Sequence, residues 1–183
     1  MWIIRLSAVS ALMIGMIGMS ACATAPKTES ERRSLEARAD ATLESMRARD
    51  PGLPTLLDAS YGYAVFPDIG KGGAVVGAAY GRGVLYEHGR ISGYVDLSQG
   101  SIGAQLGAET FSELVVFHDP DPVQRLKGGT FEFGANASAV ALTTGAAAAA
   151  SFNNGVVVFT VPRGGLMAEL AVSGQKLNYQ PRG

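Results

Sequence analysis

Apolar residues recur along this chain in three rhythms, and each rhythm predicts a different kind of element. An uncharged apolar run extends from Leu6 to Met19. Leu35, Ala39, Leu43 and Met46 then recur at helical spacing and give one narrow apolar face. The other faces carry Glu31, Arg32, Arg33, Glu36, Arg38, Asp40, Glu44, Arg47 and Arg49, a mixed-sign pattern expected of a solvated surface rather than a basic membrane-surface helix. Thr28 and Glu31 form a T-x-x-E capping box that predicts the helix start, and Asp50-Pro51-Gly52 predicts its stop. Leu53 to Ala59 adds a short second helix with Leu56 and Leu57 facing inward. Packing of this helical region on a sheet is the expectation.

From Tyr61 the rhythm shortens to that of strands. Tyr61 to Tyr86 opens with an apolar run that Pro67 closes, and Gly73, Gly77, Gly81 and Gly83 punctuate a second run. Two readings compete for these glycines. A phosphate-cradling loop needs G-x-x-x-x-G-K-[ST], or a G-x-G-x-x-G opening a helix, and neither is present around Lys71. A β-hairpin with its turn at Asp68–Gly73 fits better, with glycines where another backbone or a ring comes close. Glu87-His88-Gly89 predicts the next turn and 90–98 a strand. Strands are expected over 100–109, 110–118, 131–142, 155–161, 166–172 and 176–179. Over 131–142, Phe131, Phe133, Ala135, Ala137 and Ala139 share one face. Between these strands, Asp121 and Pro122 predict the start of a one-turn helix through 123–127. Ala146 to Ala150 favours helix by propensity, but Gly145 and Asn153-Asn154-Gly155 bound it, so a connection or short strand is expected.

Composition narrows the class. A chain of 183 residues accommodates one domain. Its 24 glycines beside 47% hydrophobic residues are too apolar for disorder and too Gly-rich for a helical bundle. The expected fold is α+β and mainly antiparallel: an N-terminal helix packed on a closed or two-layered sheet of short, Gly-rich strands. The expected organisation is a signal peptide over 1–21, a lipidated tether over 22–27, a helical segment over 28–60 and a β-rich core over 61–180. Residues 28–180 together make one domain.

The first apolar run changes the picture of localisation. Arg5 precedes it, Ser20 and Ala21 follow, and it is short for a membrane span of about 20 residues. Cys22, the single cysteine, stands directly after the small pair in a context that resembles a bacterial lipobox, with Met19 where leucine is usual. Lipid attachment at Cys22 accounts for an exported cysteine with no partner; the alternative is an ordinary secretory leader cleaved nearby. Ala23 rather than aspartate after the cysteine points, by resemblance to bacterial sorting rules, to the outer membrane, facing the periplasm.

Candidate chemistry is sparse. No G-x-S-x-G elbow, H-E-x-x-H, C-x-x-C or EF-hand spacing occurs, and only His88 and His118 are available as histidine bases. Asp119 and Asp121 beside His118 read as turn and cap residues. No enzyme, cofactor or metal is expected. From Tyr61 onward eight basic residues face nine acidic ones, which disfavours nucleic acid as a partner.

The pattern Gly-Tyr-Ala-Val-Phe-Pro, Lys-Gly-Gly and a Gly-spaced apolar run within 61–86 resembles the opening of the SYLF domain family. The likeness continues through GSIGAQLGAETFSELVVF (100–117), FEFGANASAV (131–140) and GGLMAELAVSGQKL (164–177), covering most of 35–180. The resemblance implies a β-rich domain that binds membranes or phospholipid headgroups without catalysis, as a bacterial envelope lipoprotein. The basic residues at predicted turns, Lys71, Arg125, Lys127 and Arg163, are then the candidates for anionic headgroups. Clustered at one end of the sheet they would each contribute about 1 kcal/mol at an anionic surface; dispersed, they are solvated turn residues. The other reading is a structural or protein-interaction lipoprotein of the envelope with no small ligand.

Overall fold

A computed structural model describes residues 26, 28–73, 76–102, 108–129, 131–134, 139–164 and 174–182. The signal peptide, Cys22 and the strand expected over 166–172 lie outside these. The capping box forms as expected: Thr28 Oγ1 accepts from the Glu31 N–H at 3.2 Å, and Glu31 accepts from the Thr28 N–H at 3.3 Å. It opens α1, Glu29–Arg49, which buries Leu35, Ala39, Leu43 and Met46. A second helix, α2, spans Leu53–Asp58 and buries Leu53 and Leu57, whereas Leu56 is only partly covered. Asp50 joins the two helices to the far end of the chain. Its carboxylate, 1% exposed, accepts from the N–H groups of Ala147 at 2.6 Å, Gly52 at 2.9 Å and Gly145 at 3.2 Å. The bond from Ala147 chiefly holds its pKa below the ordinary carboxylate value, against the upward pull of burial.

The strands are β1 Gly62–Gly73, β2 Val76–Glu87, β3 Arg90–Ile102, β4 Ala108–Phe117, β5 Phe131–Glu132, β6 Ala139–Ala141, β7 Val156–Gly164 and β8 Gln175–Pro181. A third helix, α3 Pro120–Lys127, follows β4. The strands form one sheet in the order β5-β8-β3-β2-β1-β4-β7-β6. This corrects the expected fold class on three points. The sheet is mixed, because β6 runs parallel to β7. Among the described residues it is a single sheet whose outer strands, β5 and β6, do not pair with each other, rather than two layers or a closed barrel. Its central strands are long, 10 to 13 residues, rather than short.

The length of β1 has a local cause. Pro67 has no N–H to give a ladder, yet the strand does not stop there. A bulge shifts the register on both flanks, between Val65 and Asp68 toward β2 and between Phe66 and Ile69 toward β4. The turn expected at Asp68–Gly73 is therefore strand, and β2 begins at Val76. The next hairpin turns at His88 and Gly89, both at positive φ, as a two-residue loop requires. Helix α3 likewise starts earlier than expected, with Asp119 rather than Asp121 at the cap and Pro120 in its first turn.

The sheet curls around one apolar interior. Phe131 and Phe133 at one edge, Val156 and Val158 near the other, and Val123 and Leu126 of α3 all belong to one cluster with Phe66, Phe111, Val115 and Phe117. The Phe131 and Phe117 rings meet edge to face at 5.8 Å across that interior, although their strands are far apart in sheet order. The outer face carries a second cluster, in which Leu35, Leu43 and Met46 of α1 cover Val65, Val84, Leu114 and Phe159. Gly83 shows why the hairpin needs glycine: a Cβ there would lie 2.7 Å from both the Phe66 ring and the Val65 carbonyl oxygen. The side-chain surroundings of Gly73 and Gly77 lie outside the described residues.

Candidate functional site

Helix α1 crosses the outer face of the sheet and is held by polar bonds as well as by its apolar stripe. The Tyr94 hydroxyl donates to Glu36 at 2.8 Å and the Tyr86 hydroxyl to Asp40 at 2.6 Å. Burial and the bond to Glu36 push the Tyr94 pKa up to about 12, and burial with the bond to Asp40 pushes Tyr86 up further. The face expected to be simply solvated is therefore partly committed to the sheet.

One turn further round α1, residues Arg38, Thr42, Ser45 and Arg49 fall on a single polar stripe at i, i+4, i+7 and i+11. This stripe forms one wall of a cleft of about 650 Å³. The opposite wall comes from the β1 bulge, Pro67 and Asp68, and from the end of β7, Val161 to Arg163. The bulge aims Asp68 at both walls. Its carboxylate accepts from Arg38 Nη1 at 2.8 Å and from Arg163 Nη1, which also donates to the Pro67 carbonyl at 3.0 Å. Ser112 of β4 fixes that same carbonyl from below, donating to it at 2.7 Å. Arg49 lines the cleft further along the same stripe and has no ion-pair partner among the described residues.

The chemistry of the cleft follows from this inventory. Three guanidinium groups and one carboxylate line the cleft together with the hydroxyls of Thr42, Ser45 and Ser112. The Asp68 pairs are half exposed, with side-chain exposures of 50%, 48% and 40% for Arg38, Arg163 and Asp68. Pairs this exposed contribute only about 0–1 kcal/mol each. An incoming anion can therefore take over the arginine donors at little cost. Planar guanidinium forks suit the oxygens of phosphate or carboxylate.

The four basic residues singled out in the sequence are not brought together. Arg163 lines the cleft. Lys71 lies near the far end of β1, opposite Ala79 and Glu109. Arg125 and Lys127 sit on α3, whose apolar side packs into the sheet interior, on the other face from α1. Lys127 donates to Glu87 at 2.8 Å and lies 5.7 Å from the Tyr179 ring centre. The bond to Glu87 raises the Lys127 pKa. Burial alone would raise that of Glu87, but the bonds from Lys127 and Ser92 outweigh it and lower it. Arg125 pairs with Asp121 at 3.1 Å and lies over Phe131. Arg38 and Arg49 were missed because each was counted in a mixed-sign helix surface; the stripe with Thr42 and Ser45 was the available signal. Cys22 lies outside the described residues.

Among the described residues no group of His, Cys, Asp and Glu is arranged to hold a metal ion, and no helix is long and apolar enough to cross a membrane. Comparison with known proteins bears out the resemblance read from the sequence. Residues 98–181 match the family model Ysc84, described as Las17-binding protein actin regulator, the SYLF family. The chain is also similar to Beta cell expansion factor A of Aeromonas veronii, 26% identical over 155 residues. That alignment takes in 82% of this chain and 58% of the relative, so the chain spans less than two thirds of the relative's length.

Proposed function

With residues 98–181 assigned to the Ysc84, or SYLF, family, we propose that this protein is a non-catalytic module that binds anionic phospholipid headgroups in the cleft between α1 and the β1 bulge. The observation that carries this reading is a cleft lined by Arg38, Arg49 and Arg163 in which Arg38 and Arg163 both pair with the half-exposed Asp68 carboxylate. A headgroup phosphate replaces Asp68 as the acceptor of the Arg38 and Arg163 forks, and Thr42 and Ser45 offer hydroxyl donors beside it. Attraction of this kind weakens as salt rises, because exposed charges are screened beyond about 8 Å at physiological ionic strength.

Flotation of the purified protein, prepared without its leader, with phosphatidylglycerol vesicles is the test. The protein is expected to float with these vesicles and not with phosphatidylcholine vesicles, and Arg38→Glu with Arg163→Glu is expected to release it. Absence of flotation at low salt refutes the reading. Lipid attachment at Cys22 and an outer-membrane address belong to the same proposal: two or more acyl chains hold a protein stably at a bilayer. Mass spectrometry finding an unmodified mature terminus elsewhere contradicts that part.

The family description names a protein partner, and that favours a second reading in which the cleft receives an acidic protein segment. Binding of an acidic peptide at Arg38 and Arg163, with no flotation of the same preparation, distinguishes it.

A further inference from the structure

Two long polar side chains enter the otherwise largely apolar interior of the curled sheet. Glu113 falls between Phe111 and Val115 on β4, and Gln175 stands two residues before Leu177 on β8. Both are buried, with 0% and 1% exposure. In sheet order β1, β2 and β3 lie between their strands, so a bond between the two crosses the interior instead of following the ladder. Gln175 Nε2 donates to Glu113 Oε2 at 3.3 Å and reaches Gln99 Oε1 on β3 at 3.5 Å. The Gln175 carbonyl also accepts from the Phe133 N–H at 2.9 Å, so this end of β8 carries Phe133 with it.

Two acceptors are left over. Glu113 Oε1 and Gln175 Oε1 have no partner among the described residues, and buried acceptors without donors are costly. An ionised carboxylate has no hydrogen to give, whereas a neutral carboxyl has one. An O–H on Glu113 Oε1 donates to the Gln175 amide oxygen while the amide N–H donates to Oε2, a two-bond ring between acid and amide. One proton thus answers both unpartnered atoms. The neighbours in register do not replace it: Phe66 on β1 is apolar, and Thr160 on β7 makes no bond to Glu113. The titratable or charged groups that otherwise border this interior among the described residues are Tyr61, Lys71 on β1, Tyr179 on β8, and Arg125 and Lys127 on α3. None bonds to Glu113; Tyr179 donates to the Ser92 carbonyl at 3.0 Å, Lys127 pairs with Glu87 and Arg125 with Asp121. Burial pushes the Glu113 pKa up to about 8, with the Gln175 bond pulling the other way, which keeps the proton in place at neutral pH.

We propose that Glu113 and Gln175 form a proton-dependent clasp that holds β4 to β8 across the interior, closed while Glu113 carries its proton and open once solvent hydroxide has taken it. On opening, the O–H bond breaks, its electron pair stays on Oε1 and the proton leaves as water. The carboxylate left behind faces the amide oxygen with no donor between them, so the two strands part and water enters to solvate the charge. Phe111 and Phe133 are uncovered in that step. The clasp lies on the opposite side of the sheet from the arginine cleft and does not depend on the headgroup reading.

Infrared spectra and dye binding of the purified protein, taken from below pH 4.5 to above 8, test this. A protonated-carboxyl band is expected to persist at neutral pH, to vanish as pH passes about 8 and to be missing at neutral pH from Glu113→Gln. Gln175→Met removes the acceptor of the O–H, and the band is expected to move to the higher frequency of an unbonded acid. Fluorescence of anilinonaphthalene sulfonate is expected to rise severalfold with pH while circular dichroism holds steady, because the open-to-closed ratio grows about tenfold per pH unit until Glu113 ionises in the closed form. In Glu113→Gln, where an amide–amide ring needs no proton, dye fluorescence is expected to stay flat. The proposal is overturned if the unaltered protein shows no protonated-carboxyl band at neutral pH, if the band is unmoved in Gln175→Met, or if it is lost without a rise in dye binding. A rise that coincides with loss of the circular dichroism overturns it too, since the whole fold is then lost and no clasp has opened. Should Gln175→Met fail to fold, the band and the dye response of the unaltered protein against Glu113→Gln decide.

Discussion

Glu113 shows how much a single residue can depend on a surrounding that sequence does not display. It alternates with Phe111 and Val115 on β4, and its side chain therefore enters the curled interior with them. There it is fully buried and accepts from Gln175 Nε2 at 3.3 Å, while its Oε1 has no partner among the described residues. Burial, only partly opposed by the bond from Gln175, pushes its pKa from 4.5 up to about 8. The neutral acid is therefore the form the fold prefers. The contribution of Glu113 is fully present below the unfolded value of 4.5 and is lost as pH rises toward about 8, by up to about 1.4 kcal/mol per pH unit. Glu113→Gln is expected to flatten this slope in melting curves measured across that range; an unchanged slope contradicts the buried neutral acid. In the sequence Glu113 was one acid in a charge tally, since nothing local to it reveals which strands close over it. The glycines were more legible: Gly81 and Gly83 do lie where Ile69 and Phe66 press on the backbone.

At the scale of elements, local signals carried well and boundaries set by tertiary contacts did not. The capping box, the four buried positions of α1 and the alternation at Phe131 and Phe133 are properties of a few neighbouring residues, and all were legible. Pro67 misled because a strand ends at proline only when no bulge accommodates it, and the bulge depends on both flanking strands. The 146–150 tract is a connection of tight turns rather than helix, since Asp50 takes the N–H groups of Gly145 and Ala147. That clamp predicts a cost. Asp50→Ala leaves buried donors unmet and is expected to destabilise the protein by about 2–3 kcal/mol, lowering the melting temperature by roughly 2–4 °C per kcal/mol. Because the Asp50 pKa is lowered, its contribution is present above pH 3.8 and is lost as pH falls below that. A melting temperature that stays put at neutral pH would show that the 145–147 segment is not held this way.

For the whole molecule, the sequence pointed to a β-rich domain with a packed helix, but not to one mixed, curled sheet. The parallel β6 is three residues long, and among the described residues the outer strands β5 and β6 each pair on one side only, features that no periodicity encodes. The same limit applied to the candidate site. Turn positions offered Lys71, Arg125, Lys127 and Arg163 as one cluster, whereas the sheet puts α3 on one face and the cleft on the other. A balanced overall charge nonetheless contains a local excess where three arginines and one aspartate, Asp68, line the same cleft. The central claim is that this excess is the membrane contact. Its most direct test compares flotation with phosphatidylglycerol vesicles for two charge-altered proteins, each confirmed as folded by circular dichroism. Arg38→Glu with Arg163→Glu is predicted to abolish flotation, while Lys71→Glu with Lys127→Gln retains it. Retention by the first protein and loss by the second would contradict the account.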